Sequence, residues 1–336
     1  MNNLPIFVGL DYHQSGVQVC VLDERGQELW NRMCPNSWRA IVKAVELHGQ
    51  AVKAAIESCS GAADIAEELV HRAGWTVNLA HPGYVTRMKQ NPDKTDYSDA
   101  RMLADLQRVG YLPRVWLAPL AIRELRMLVR YRQQQVNRRR AIKLRIGAIL
   151  REQRVRNTEY PRWRKPWLEW LRTGAQLSRQ GRWVVEQHLE ELEALKTRIA
   201  KAEKQLLQAT AEDVLVSRLQ RLAGIGRVTA WMLRAEVGRF DRFNTGKQLA
   251  RFCGLTPRNA SSGMRQADAG LIRAANPMLR STLIEAAHRL ARFDPRWKAL
   301  ATRMIARGKP TNVAIAAVAN RWIRWLFHEV PRMCAA

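Results

Sequence analysis

Ile6-Phe7-Val8-Gly9-Leu10-Asp11 is the stretch that decides the fold of the N-terminal region. It is a short apolar run that ends on a carboxylate, which is typical of a buried β-strand. Residues 17–22 are apolar with strong β propensity, and Glu24-Arg25-Gly26-Gln27 indicates a turn into a third strand. A further apolar run, residues 51–56, again ends on an acid, Glu57. These segments predict strands of one sheet.

Helical and extended segments alternate through the rest of this region. Residues 37–48 and 61–73 have helical patterns, and a strand is expected over 76–80. Another helix opens within 94–101 and runs to about Arg108. Three strands, then helix–strand–helix–strand, then a helix is the order of an RNase H-like α/β domain. The sequence therefore predicts such a domain over residues 1–112.

Four acids in this region are candidates for chemistry. Asp11 and Glu57 end two strands that can be neighbours in one sheet, while Asp96 and Asp99 are three apart and share one helix face. Four converging carboxylates would bind hard cations such as Mg²⁺, and paired ions would polarise a phosphodiester. The alternative is structural: Asp96 caps the helix and Asp99 favours its dipole.

The charge of the chain indicates a polyanionic partner. It carries 56 Lys and Arg against 30 Asp and Glu, a formal net charge of +26, with a sequence pI of about 11.0. Nucleic acid is the first expectation and an anionic membrane surface the second, whereas a small-metabolite enzyme needs no such field. The excess lies entirely after residue 110, because the first 110 residues hold more acids than bases.

Other features narrow the setting of the protein. No run of about 18 apolar residues is present to span a membrane, and the first ten residues do not resemble a secretory signal. The five cysteines form no Cys-x-x-Cys pair, which fits reduced thiols and argues against a structural zinc site. We therefore expect a cytoplasmic protein with no membrane partner.

The middle region, residues 113–213, is predicted to be a basic helical connector. Residues 120–146 contain neither Gly nor Pro, so one long helix is expected. Arg138, Arg139, Arg140 and Lys143 would suit a phosphate backbone, and the alternative is a solvated face.

Two further patterns in the connector leave alternatives open. Trp163, Trp167 and Trp170 stand at i, i+4 and i+7 among basic residues, which suits either stacking on unpaired bases or simple core packing. Apolar residues between 192 and 209 are spaced 3-4-3-4-3, a short heptad seam. Two heptads do not decide between oligomerisation and packing within the chain.

The C-terminal region, residues 214–336, contains a helix, a Gly-x-Gly turn and a second helix around Gly224, Gly226 and Arg227. Glycines permit a tight turn with backbone N–H groups exposed at a helix start, which can seat a phosphate. This helix-hairpin-helix pattern predicts contact with a nucleic-acid backbone at these three residues. A plain packing element is the alternative. Basic helices are expected to continue to the end.

Four passages together resemble a known family along nearly the whole chain. They are Gly9-Leu10-Asp11, Ile56-Glu57-Ser58, Lys94-Thr95-Asp96-Tyr97-Ser98-Asp99-Ala100, and the run from Leu222-Ala223-Gly224-Ile225-Gly226 through Gly254-Leu255-Thr256-Pro257 to Ser261-Ser262-Gly263. Their order and separation resemble the DEDD transposases of insertion-sequence family one-hundred-ten, which also includes the Piv-type DNA invertases.

The resemblance implies a RuvC-like N-terminal domain whose metal-binding tetrad is Asp11, Glu57, Asp96 and Asp99. It implies two Mg²⁺ ions, with Mn²⁺ as a substitute, and a serine nucleophile, Ser262, with Ser261 as the adjacent alternative. It further implies a coiled-coil connector, a C-terminal transposase domain and a phosphoserine intermediate. The same resemblance implies a prokaryotic protein that associates with the nucleoid when it acts. The implied partners are donor and target double-stranded DNA, a structured bridge RNA, and further copies of the chain in a dimer of dimers that shares composite sites.

We therefore expect a recombinase that cuts and rejoins DNA. Three alternatives stay open: a site-specific invertase, a RuvC-like structure-specific endonuclease that hydrolyses with water, and a nucleic-acid-binding protein without catalysis. A covalent protein–DNA adduct would separate the recombinases from the endonuclease. Full function after neutralisation of all four acids would indicate the binding protein.

Overall fold

A computed structural model of the chain describes residues 5–88, 95–259 and 268–335. The described chain divides into two compact units, Met1–Pro119 and Leu120–Ala336. The predicted mixed α/β N-terminal region and the mostly helical remainder are both confirmed. The finer division into 1–112, 113–213 and 214–336 stays a prediction.

In the described part of the first unit, six strands form one sheet in the order β3-β2-β1-β4-β5-β6. The strands are β1 (Pro5–Tyr12), β2 (Val17–Leu22), β3 (Glu28–Cys34), β4 (Ala51–Glu57), β5 (Thr76–Ala80) and β6 (Arg114–Val115). The helices are α1 (Trp38–Val45), α2 (Ala62–Ala73), α3 (Pro82–Met88) and α4 (Asp96–Arg108). The predicted order of elements is present, and α3 and β6 are additions to it.

Strand β1 lies at the centre of the sheet and is covered on both faces, which explains its unbroken apolar run. Ile6, Val8 and Leu10 pack in one core with residues of α1 and α2. Phe7 lies in a separate cluster with Ala100 and Ala104 of α4, on the opposite face. Helix α4 is therefore placed directly against the central strand.

The pairing of β1 explains why two acids meet at one edge of the sheet. β1 is antiparallel to β2 and parallel to β4, and Leu10 is opposite Ile56 in the parallel pair. Asp11 and Glu57, the next residue of each strand, therefore reach the same carboxyl edge.

The second unit is helical except for one short hairpin among its described residues. Its elements are α5 (Leu120–Glu152), α6 (Lys165–Thr173), α7 (Arg179–Ala209), α8 (Val214–Gln220), α9 (Arg227–Met232), a π-helical turn (Leu233–Val237), α10 (Gly246–Phe252), β7 (Pro257–Asn259), β8 (Asp268–Leu271), α11 (Pro277–Phe293), α12 (Pro295–Ala306) and α13 (Thr311–Ala335). The long helix expected over 120–146 continues to Glu152.

Helices α5 and α7 form an antiparallel pair within the chain. Leu125, near the start of α5, shares a core cluster with Leu206 at the end of α7, whereas Leu150 shares another with Val185 at the start of α7. The heptad seam therefore packs intramolecularly. The ion pair between Arg132 of α5 and Glu203 of α7, at 2.7 Å, links the two helices.

The three regularly spaced tryptophans of the connector, Trp163, Trp167 and Trp170, belong to or pack against one core cluster. Trp167 of α6 is 2% exposed, and Trp163 and Trp170 pack against the same cluster. The ring centroids of Trp163 and Trp167 are 4.8 Å apart, and those of Trp167 and Trp170 are 5.9 Å apart. The core alternative therefore accounts for this pattern.

Candidate active site

Three ligand-type side chains of the first unit converge at the carboxyl edge of the sheet. His13 Nε2 lies 3.2 Å from Asp11 Oδ2 and 3.4 Å from Asp96 Oδ1. Asp11 belongs to β1, His13 follows that strand, and Asp96 is the first residue of α4. Within the described residues, one donor atom from each of the three side chains lies within 4.8 Å of the other two.

The start of α4 explains how Asp96 is available to this cluster. Thr95 is the N-cap residue, and its side-chain oxygen accepts a hydrogen bond from the Ser98 backbone N–H at 3.2 Å. The suggestion that Asp96 caps the helix is therefore wrong. Its carboxylate occupies the first helical position and reaches His13 instead.

Asp99 and Glu57 lie close by but outside this three-residue cluster. Asp99, one turn along α4, is 7% exposed, and its charge acts on Asp11. Glu57 ends β4 beside β1, and its charge and that of Asp11 both act on Cys59. All four predicted acids are therefore in one neighbourhood, although the closest contacts join Asp11 and Asp96 through His13.

Burial raises the pKa of Asp11 above its usual value, and the negative charges of Asp96 and Asp99 raise it further. The contact with His13 opposes the shift in the pKa of Asp11 but does not cancel it. Negative charge is thus concentrated here at a free-energy cost that a divalent cation would remove. Carboxylate oxygens and an imidazole nitrogen are donors that Mn²⁺ accepts readily and that Mg²⁺ accepts in part, so the donor set fits a divalent cation.

A network around Glu28 fixes the first turn of α4 to the edge strand β3. The Glu28 carboxylate accepts hydrogen bonds from the Tyr97 hydroxyl and from Arg101 Nη1, the latter at 2.8 Å. Asn31 Nδ2 donates to the Tyr97 carbonyl at 3.2 Å. Because Tyr97 lies between Asp96 and Asp99 in α4, this network holds both acids near Asp11.

The predicted nucleic-acid residues of α5 differ in their exposure. Arg138 and Arg140 are exposed, whereas Arg139 and Lys143 are half-buried. The Lys143 ammonium lies 4.7 Å from the ring centroid of Trp163. Burial lowers the pKa of Lys143, and the charge of Arg139 lowers it further. Lys143 is thus partly engaged within its own unit.

The Gly-x-Gly turn connects α8 and α9 in the second unit. Gly224 has a φ of +80°, and a Cβ there would lie 2.6 Å from Leu290 Cδ2, so only glycine fits. Gly226 and Arg227 are exposed at the start of α9. A cavity of about 580 Å³ borders residues 224–229 and Arg289. The predicted nucleophile Ser262 and its neighbour Ser261 lie outside the described residues.

Two protein-family models match the chain. A family model described as a transposase, that of the DEDD transposases of IS110, matches residues 8–154. A second, described as "Transposase IS116/IS110/IS902 family", matches residues 216–302. The chain belongs to the IS110 family of transposases. As an IS110-family transposase it is expected to bind DNA and recombine it.

Named relatives of this transposase cover most of its length. A "Probable family 20 transposase" of Pseudomonas aeruginosa is 28% identical over 83% of this chain and 83% of its own length. The "Transposase for insertion sequence element IS1111A" of Coxiella burnetii is 25% identical over 94% of this chain and 86% of its own. In the part of the transposase that the structure describes, no helix has both the length and the apolar character needed to cross a bilayer.

His13 is the member of the site that the sequence interpretation missed. A signal was available, because Asp11 and His13 are two apart at the end of a strand and alternate strand residues point to the same face. A histidine at that spacing from a strand-terminal acid is a candidate ligand. The sequence prediction considered only carboxylates as ligands and stopped at Asp11, where the apolar run ends, so it did not include His13.

Proposed function

We propose that this protein cuts and rejoins DNA at the carboxyl edge of the N-terminal sheet, as the transposase of an insertion sequence. The tetrad of the site is Asp11, Glu57, Asp96 and Asp99, and His13 contributes a further donor. The contact of His13 with both Asp11 and Asp96 carries this proposal, because it gathers carboxylates from β1 and α4 around one point.

The sheet supports an RNase H-like assignment for the domain. Its first three strands are antiparallel and β1, β4 and β5 are parallel, in the order β3-β2-β1-β4-β5. The acids of the site come from the central strand β1, its parallel neighbour β4, and the helix α4 that covers them. A rigid scaffold of this kind keeps separate carboxylates within the small tolerance that phosphoryl transfer requires.

Asp11, His13 and Asp96 would hold a divalent cation, Mg²⁺ or Mn²⁺, and Glu57 and Asp99 would complete a two-ion site. When bound, such ions stabilise charge on the phosphoryl oxygens and lower the pKa of the attacking hydroxyl. The Ser262 Oγ would lose its proton and bond to the scissile phosphorus, while a sugar hydroxyl leaves. Attack by the incoming strand's hydroxyl would then release the serine and join the strands.

Membership of the family supports DNA as the partner of the reaction, and we extend the proposal to an RNA and to further copies of the chain. Donor and target DNA would be chosen by pairing with a structured bridge RNA, and the chain would act as a dimer of dimers in the cytoplasm. The exposed Arg138, Arg140 and Arg227, with the glycines of the α8–α9 turn, would contact phosphates.

The test is recombination and adduct formation by purified protein with Asp11→Asn and Ser262→Ala. Both variants should lose strand cleavage, and Ser262→Ala should lose the covalent protein–DNA adduct while still binding DNA. Asp105→Asn is the matched control, because Asp105 is on α4 but pairs with Arg108 at 2.7 Å. An adduct in Ser262→Ala would exclude that serine, and cleavage by Asp11→Asn would exclude the acidic site.

A further inference from the structure

Helices α12 and α13 enclose a basic cleft of about 550 Å³ in the second unit. On α12 the cleft is lined by Arg296, Trp297, Leu300 and Arg303. On α13 it is lined by Arg321, Arg324, Trp325 and His328. The spacings i, i+1, i+4, i+7 on α12 and i, i+3, i+4, i+7 on α13 place each set on one side of its helix. The α13 wall lies beyond residue 302, where the family match ends.

The charges of this α12–α13 cleft are uncompensated. Among the described residues, none of its four arginines pairs with a carboxylate, and no acid lines the cleft. Elsewhere in the same unit Arg130, Arg132 and Arg234 all make ion pairs. Four guanidinium groups held around one small space repel each other, and an anion would relieve that repulsion.

The walls of the cleft combine this charge with aromatic surface. Trp297 and Leu300 form a buried floor, while Trp325 is only half-buried. The Arg296 guanidinium lies 4.7 Å from the ring centroid of Trp297 and 5.7 Å from that of Trp325. Stacking restricts the guanidinium plane, which prepares its donors for bidentate contact with a phosphate.

The two features together distinguish between forms of nucleic acid. A duplex presents phosphates outward and keeps its bases stacked inside, so it would use the arginines and leave the tryptophan idle. An unpaired nucleotide presents both a phosphate and a free base face, which stacks on aromatic rings. The cleft volume lies within the range of about 300–1,000 Å³ typical of sites for small molecules.

We propose that the α12–α13 cleft binds one unpaired nucleotide of a nucleic-acid strand. The flanking phosphates contact the arginines of both helices, and the base lies against Trp325. The cleft belongs to the second unit, whereas the acidic cluster belongs to the first, and binding in the cleft requires no divalent cation. DNA and RNA share this chemistry, and the experiment below distinguishes them.

The test is fluorescence anisotropy of the full chain in EDTA, with single-stranded probes of about ten nucleotides. The probes are oligo-dT, oligo-U, an abasic phosphodiester of equal length, and a duplex. The wild-type protein should bind oligo-dT or oligo-U more tightly than the abasic strand. The ratio of affinities for the first two identifies the DNA or the RNA as the preferred source.

Trp325→Leu should weaken single-strand binding about fivefold to a hundredfold, the range for one base stacked on an aromatic ring, and should remove the preference over the abasic strand. Arg303→Gln with Arg321→Gln should weaken all single strands at least tenfold and flatten the salt dependence. The charge-matched control is Lys298→Gln with Lys309→Gln, two exposed residues that do not line the cleft.

Three outcomes would overturn the proposal. The first is unchanged affinity for single strands in the arginine variant. The second is an equal loss of affinity in the arginine variant and the lysine control. The third is an equal loss of affinity for the duplex and for the single strands in the arginine variant. Because Trp325→Leu can disturb packing between α12 and α13, its thermal unfolding is measured, and the arginine variant tests the cleft independently. EDTA removes divalent cations, so this binding assay does not depend on the proposed cleavage site. A negative result here would therefore not count against the cleavage site, and a failure of the cleavage experiments would not count against the cleft.

Discussion

Replacing Gly9 with alanine tests whether the close approach of α4 to the sheet positions the acidic cluster. Gly9 lies on β1 and faces α4, two residues before Asp11. A Cβ at this position would lie 1.8 Å from the Ala100 carbonyl oxygen and 2.6 Å from the Ala104 backbone nitrogen. Both obstacles are backbone atoms, so no side-chain rotation can relieve the contact.

The size of the effect follows from these distances. Real Cβ atoms essentially never approach another heavy atom within 3.0 Å, so helix and strand must separate by at least 1.2 Å. Overpacking of this kind costs about 1–3 kcal/mol, and we expect about 3 kcal/mol because the backbone itself must move. The displaced α4 carries Asp96 away from His13, and a misplacement of about 1 Å costs about 100-fold in a catalytic site.

The assays are urea unfolding, titration with Mn²⁺, and strand cleavage. Gly9→Ala should unfold at lower urea, bind Mn²⁺ more weakly and cleave more slowly. Gly83→Ala is the matched control in the same unit, because its Cβ would lie 3.4 Å from the nearest atom and alanine favours the helix α3. A Gly9→Ala protein as stable as the wild type would refute the packing argument, and unchanged Mn²⁺ affinity would refute the link to the site.

Three further changes probe interactions that lie within one unit or the other. Burial raises the pKa of Glu28, but hydrogen bonds, led by the one from Tyr97, outweigh burial and lower that pKa below its usual value. Glu28→Gln should therefore destabilise the protein above about pH 4.3, and the destabilisation should disappear as the pH falls through the lowered pKa. Urea unfolding at several pH values measures this, and a stability difference that does not change with pH would contradict it. Arg130→Met leaves the Glu236 carboxylate, which is 5% exposed, without its two hydrogen bonds from Arg130. The free energy of unfolding should fall by about 2–3 kcal/mol, and by less in the double variant that also carries Glu236→Gln. Equal thermal stability of the two variants would count against a stabilising role of the pair. Leu195→Ala removes a fully buried contact between α5 and α7 and should cost about 2–5 kcal/mol at every protein concentration, whereas a concentration-dependent loss would indicate an interface between chains.

Much of the secondary structure was predictable because local patterns and burial agree. The strands 17–22 and 76–80 have the predicted bounds, since apolar runs bounded by turn residues leave little choice of register. The helix predicted over 37–48 spans only Trp38–Val45, and the long helix ends at Glu152 rather than near 146. Helix ends depend on caps and on tertiary packing, which hydrophobic periodicity does not encode.

The two ambiguous patterns of the connector show where sequence reasoning stopped. A heptad seam can pack equally well against another copy of the chain or against a helix of its own chain. Only the antiparallel packing of α5 on α7 shows that the seam is buried within the chain. The spacing of Trp163, Trp167 and Trp170 indicates one helix face, but whether that face meets solvent or core depends on what folds against it.

The sequence by itself determined the order of elements, the separation of a near-neutral N-terminal region from a basic remainder, and the four acids at strand ends and on one helix. These properties are local in the chain, so composition and spacing express them directly. Only the tertiary structure decided that Thr95 rather than Asp96 caps α4, that His13 joins Asp11 to Asp96, and that arginines from α12 and α13 share a cleft. Those contacts depend on the distances between separate elements, which packing sets and sequence spacing leaves open.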